Sequence, residues 1–159
     1  MPQMPVYTVS YKPITSTGKT VLLLHFLSKD KMNEFLTPIS NVYEGGELSQ
    51  AREGHNFPST FIPMDHPLYK QVESNPACVY VIGVYNPKSI PHELRHAMFY
   101  ADTAYRIRIT EEWNALHEKT RQHITQFLTR LGYREGVLID EYQAYRYTEK
   151  PNFFGVRID

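Results

Sequence analysis

The sequence is poor in cysteine: Cys78 is the sole thiol among 159 residues, so no disulfide can form within the chain. The usual framework of a small secreted scaffold is therefore missing, and a reducing setting is the expectation. Nor is there an excess of charge of either sign. Lysine plus arginine number 17, and aspartate plus glutamate number 17, so no overall field draws the protein toward nucleic acid or an anionic membrane. Long apolar runs are lacking too: Val21 to Leu24 and Ala77 to Ile82 are far short of the roughly 20 residues that span a bilayer. Residues 1 to 20 lack the basic stretch, apolar core and small-residue cleavage site of a secretory leader. Cytoplasmic localisation is expected, with no nucleic-acid or membrane partner. Internal repeats and low-complexity tracts are likewise missing.

A hydrophobic content of 42% and a charged content of 21% suffice for a real core, and the length suits one domain over residues 1 to 159. Val6 to Tyr11 and Thr20 to Phe26 read as two strands of a hairpin, separated by turn-prone Pro13, Ser16 and Gly18. Ser28 to Leu36 reads as a short capped helix that Pro38 ends. From Ser40 to Pro76, Gly45, Gly46, Gly54, Pro58, Pro63 and Pro67 imply mostly loop, with one helical turn near Tyr69 to Val72. Cys78 to Tyr85 is the strongest strand signal, β-branched and aromatic.

A helix then begins at Pro91, with Ile90 biased out of the helical region and Ser89 placed to cap. Thr110 to Leu131 reads as one long helix: Thr110 caps it, Glu111 and Glu112 suit its positive end, and Trp113, Leu116, Ile124, Phe127 and Leu131 form its apolar stripe before Gly132. Val137 to Thr148 does not alternate as a half-buried strand requires, which favours helix from Ile139. The expected fold is α+β, a small mixed sheet of three to four strands packed with the helix after Pro91 and a long C-terminal helix.

The chemistry concentrates in residues 92 to 96, His-Glu-Leu-Arg-His. Residues four apart on a helix share a face, so His92 and His96 can direct imidazole nitrogens at one Zn2+ about 2.0 to 2.1 Å away. Glu93, turned about 100° from His92, flanks the metal as a general base for a bound water whose pKa zinc lowers to roughly 7. Leu94, Ala97, Met98 and Ala101 fall opposite the histidines and can anchor the helix in a core. A catalytic zinc needs a third protein ligand. Glu141 is the first choice, since it shares a helix face with small Ala144, Tyr145 and Thr148, whereas Asp140 points about 100° away.

His-Glu-x-x-His followed by Glu-x-x-Ala at 141 to 144 resembles the gluzincin group of zinc metallopeptidases, especially its short members, over residues 79 to 148. The resemblance implies a zincin-like fold, His92, His96 and Glu141 as metal ligands, Glu93 as the base, and Cys78 to Tyr85 as the sheet edge strand that binds extended substrate. A rival third ligand, Asp102, has the spacing of the aspartate-ended metzincin motif, but Phe99 stands where that motif needs glycine to turn. Asp102 fits better as a helix-end carboxylate, or as one holding a histidine ring or Arg95. Tyr145 and Tyr105 are the candidates for stabilising an oxyanion, while His55, His66, His117 and His123 read as surface or loop residues.

Three functions stay open at this point. The first is a zinc metallopeptidase acting on a peptide or protein substrate. The second is another metalloenzyme, since two histidines and a carboxylate also hold iron for oxygen chemistry. The third is a metal-free binding or inhibitory protein.

Overall fold

The computed structural model describes residues 6–15, 17–44 and 52–158, and the structural statements below concern those residues. Ser16, Gly45 and Gly46, read above as turn or loop, lie outside them.

The expected hairpin forms. Strand β1 (Tyr7–Pro13) pairs antiparallel with β2 (Thr20–Phe26), Tyr7 opposite Phe26 and Pro13 opposite Thr20. Gly18 takes φ 77° in the connecting turn, a backbone conformation glycine adopts without steric cost. Val21 to Leu24 are all buried, because β2 is an interior strand: its other edge pairs in parallel with β4 (Cys78–Val84). That position explains a continuous apolar run where a half-exposed strand would alternate.

A fourth strand, β3 (Gly54–Pro58), pairs antiparallel with β4 and closes the order β1-β2-β4-β3. It overturns the expectation of a mostly irregular segment there, and it also makes β4 an interior strand, so Cys78 to Tyr85 is not the sheet edge. Glycine and proline punctuate both ends of β3 and mask a short alternation in which His55 and Phe57 are buried.

Helix α1 (Lys29–Glu44) begins at Ser28, whose Oγ accepts from Lys31 N at 3.1 Å. It does not end at Pro38 but runs through it. An interior proline costs about 3 kcal/mol, and the buried face of Met32, Leu36 and Ile39 against Leu22, Leu24, Phe57 and Val81 outweighs that cost. At Gly83 a Cβ would lie 2.3 Å from Leu36 Cδ1, so α1 packs directly on the β4 backbone. Helix α2 (Tyr69–Glu73) is the expected single turn.

Helix α3 (Ile90–Ala101) covers the opposite face of the sheet, where Ala97 and Ala101 join Val21, Leu23, Tyr80, Ile82 and Val84. A 3-10 turn, Pro87–Ser89, leads into it and is capped by Asn86, whose side chain accepts from Lys88 N at 3.0 Å. Ser89 makes no side-chain cap, and Ile90 is already helical at φ −58°, so the helix starts one residue earlier than Pro91.

The long helix expected over Thr110 to Leu131 is two helices, α4 (Thr103–Ala115) and α5 (Glu118–Arg130). The backbone turns extended at Leu116 and His117, and His117 Nδ1 accepts from Lys119 N to start α5. Thr110 is inside α4, bonded back to Arg106 O, and Glu111 and Glu112 sit near the C-terminal end of that helix. Asp102 is the true cap of α4, its carboxylate accepting from Tyr105 N at 3.1 Å. Helix α6 (Leu138–Arg146) follows a 3-10 turn at Glu135–Val137, close to its expected start.

Trp113, Ile124, Leu128, Leu138, Tyr142 and Phe154 form a separate core among α4, α5, α6 and the C-terminal segment. The fold is thus α+β, with one mixed four-stranded sheet and six α-helices among the described residues. No helix among them is long and apolar enough to cross a membrane.

Candidate metal centre

The one-turn spacing on α3 brings His92 Nε2 and His96 Nε2 to 3.2 Å. Glu141, in the first turn of α6, completes the group: its Oε1 lies 3.3 Å from His96 Nε2 and its Oε2 lies 3.7 Å from His92 Nε2. Donors at about 2.05 Å from a tetrahedral ion stand about 3.3 Å apart. The separations of 3.2 to 3.7 Å, with a different Glu141 oxygen nearest each imidazole, are close to that size, so His92, His96 and Glu141 together can hold a metal ion. Glu141 Oε2 is moreover buried without a hydrogen-bond partner, a costly state for a carboxylate oxygen that a cation would relieve.

The residues behind the triangle are fixed. His96 Nδ1 meets Asp140 Oδ1 at 2.8 Å, which directs Nε2 toward the other two donors. Gln143, fully buried, donates from Nε2 to Asp140 Oδ1 at 3.0 Å and to Arg95 O at 3.1 Å, tying α6 to α3. Tyr105 donates to Gln143 Oε1 at 2.6 Å and accepts from Arg95 Nη1 at 3.1 Å. Burial alone would lower the pKa of His96, but the Asp140 and Glu141 carboxylates outweigh it and push it up to about 10. The raised pKa favours a protonated His96 between Asp140 and Glu141, and a cation bound there would compete with that proton.

Glu93 stands beside the triangle without belonging to it. Its Oε2 accepts from Asn56 Nδ2 at 2.9 Å, and Asn56 Oδ1 in turn accepts from Tyr80 OH at 2.5 Å. A Cβ on Gly54 would lie 2.8 Å from Glu93 Oε1, so β3 receives this carboxylate only because residue 54 has no side chain. Burial raises the Glu93 pKa, against the lowering pull of the His96 and His92 imidazoles.

The Tyr145 ring lies 4.5 Å from that of His92, stacks on Phe153, and brings its hydroxyl to 2.8 Å from Tyr133 OH. Burial pushes both phenols above their ordinary pKa, which keeps them neutral donors. Tyr105 is committed elsewhere, to Gln143 and Arg95. Asp102 does not join the ligands: besides capping α4 it accepts from Thr15 Oγ1 at 2.8 Å. The carboxylate that holds a histidine ring is Asp140.

Among the other histidines, His55 is buried, not at the surface, bridging Ser40 Oγ at 2.6 Å and Asn33 Oδ1 at 2.7 Å. His66 is half-buried against Phe35, His117 caps α5, and His123 Nε2 donates to Phe154 O at 2.9 Å.

Asn56, Tyr80, Gly54 and Tyr133 had not been singled out from sequence. Only a reading of residues 54 to 58 as a strand beside α3 could have found Gly54 and Asn56, and Tyr80, in the strand already read from sequence, follows from its pairing with Asn56. No family model, curated protein or solved structure matches the chain.

Proposed function

We propose that the protein is a zinc-dependent hydrolase, most simply a metallopeptidase of gluzincin-like design acting on a peptide or protein substrate. The observation that carries this reading is the donor triangle of His92, His96 and Glu141, with spacing suited to a tetrahedral ion. Zinc bound there supplies Lewis acidity and a water that ionises near neutral pH. Glu93, held at its rim by Asn56, takes the proton from the attacking water and returns it to the leaving amine. Tyr145, neutral and with its ring packed on His92, is the candidate donor to a developing oxyanion. Strand β3, at the edge of the sheet and packed against α3, takes the place first expected of Cys78 to Tyr85 as the rail for extended substrate. An antiparallel edge strand beside the motif helix also supports the zincin-like reading of the fold.

The same triad suits iron. A buried carboxylate anchored beside it favours hydrolysis, since oxygen chemistry has no need of that base. Elemental analysis of the purified protein is expected to give one zinc per chain, lost in His92→Ala and Glu141→Ala and kept in Asp102→Ala. Glu93→Gln is expected to keep the zinc and lose cleavage of an unfolded protein substrate by about a hundredfold or more. Stoichiometric iron, or zinc retained in Glu141→Ala, would overturn the assignment.

A further inference from the structure

Beside Arg95 lies a recess of roughly 360 Å3, lined by Arg95, Tyr105, Arg108, Ile109, Glu112 and Tyr147. It shares no residue with the donor triangle. Two guanidinium groups converge on one ring there: Arg95 stands 5.9 Å and Arg108 5.7 Å from the centre of Tyr105. Arg95 also stands 5.0 Å from the centre of the Tyr147 ring, and Arg108 lies within electrostatic reach of the Asp102 carboxyl. Neither arginine forms a salt bridge among the described residues. The one carboxylate in the lining, Glu112, is already engaged. Its Oε2 accepts from Tyr142 OH at 3.0 Å and lies 3.6 Å from Arg146 Nη1, and its Oε1 accepts from Tyr147 OH.

We propose that this recess is a binding site for a small oxyanion, the phosphoryl or carboxylate group of a soluble molecule, gripped between Arg95 and Arg108. A guanidinium presents paired N–H donors matched to either group, and two from different helices make a clamp. Ile109 and Tyr105 are buried and Arg95 stands over the Tyr147 ring, so the recess suits the anionic group itself rather than a large apolar body. The site stands independently of whether the histidine cluster holds zinc.

The test is calorimetric titration with inorganic phosphate and, separately, acetate, in protein free of divalent metal and at constant ionic strength. Saturable binding is expected, weakened about tenfold or more by Arg108→Gln and also by Arg95→Gln on the other helix. Arg108 is exposed, so Arg108→Gln is expected to melt at the wild-type temperature and decides the matter if Arg95→Gln folds poorly. Binding of phosphate alone assigns a phosphoryl ligand, and binding of acetate assigns a carboxylate. Saturable binding of neither, or binding that Arg108→Gln leaves unchanged, overturns the proposal.

Discussion

At the scale of single residues, the site divides into side chains that local spacing reveals and side chains that only the fold assembles. His92, Glu93 and His96 were legible because a helix turns by about 100° per residue whatever surrounds it. Glu141 was legible for a similar reason, once residues from Ile139 onward were read as helix. Asn56 and Gly54 approach Glu93 from 37 and 39 positions away in sequence, and no periodicity carries that information. Asp140 was passed over because its angle on α6 turns it from the triangle, and that same angle aims it at the back of His96. Gly54 offers a direct test of how closely Glu93 must be held. In Gly54→Ala the new Cβ would stand 2.8 Å from Glu93 Oε1 and displace the carboxylate. On the proposed zinc-hydrolase function, turnover is expected to fall by on the order of tenfold to a hundredfold with metal content unchanged. Turnover at the wild-type level would show that the position of the base is not set by β3.

At the scale of elements, the misreadings share a cause: local signals were overruled by burial. Pro38 is a helix breaker in isolation, yet α1 passes through it because Ile39 and Ser40 beyond it are buried. The stripe from Trp113 to Phe127 keeps a helical period across a break at Leu116 and His117, because both α4 and α5 face the same core, whereas Leu131 beyond it is exposed. The start of α4 is hidden by the apolar stripe that reads from Thr110, yet the reading of Asp102 as a helix-end carboxylate holds: the end it serves is the N-terminus of α4. The Thr15 hydroxyl and the Tyr105 amide hold its carboxyl below the usual carboxylate range, so it caps as an anion at the positive end of the helix. Asp102→Ala is expected to lower the melting temperature by several degrees through loss of the cap and of the tie to the β1–β2 turn. Asp102→Asn, which keeps an acceptor, is expected to recover most of that loss. A melting temperature identical to wild type in Asp102→Ala would show that neither bond supports the fold.

At the scale of the whole molecule, one buried histidine sets a sensitivity to acid. Burial, assisted by the Arg52 charge, lowers the His55 pKa to about 3, against about 6.5 in an unfolded chain. As pH falls below about 6.5 the unfolded state takes up a proton that the folded state refuses. Stability therefore drops by up to about 1.4 kcal/mol per pH unit on acidification toward that lower value, and is fully present above about pH 6.5. His96, with its raised pKa, acts in the opposite sense, so the comparison must be made against a variant. Urea unfolding of wild type and His55→Asn between about pH 4.5 and 7.5 isolates the effect: the wild-type curve is expected to fall more steeply, and parallel curves would show that His55 is protonated in place.

The two helices that bear the donor triangle root in different cores, α3 in the sheet through Ala97 and Ala101, α6 in the helical layer through Leu138 and Tyr142. Whatever occupies the triangle, proton or cation, rivets one layer to the other. Loading that rivet and seating the C-terminal layer are then a single equilibrium viewed from two ends. Were that occupant a metal ion, its loss would hand the seam back to a proton.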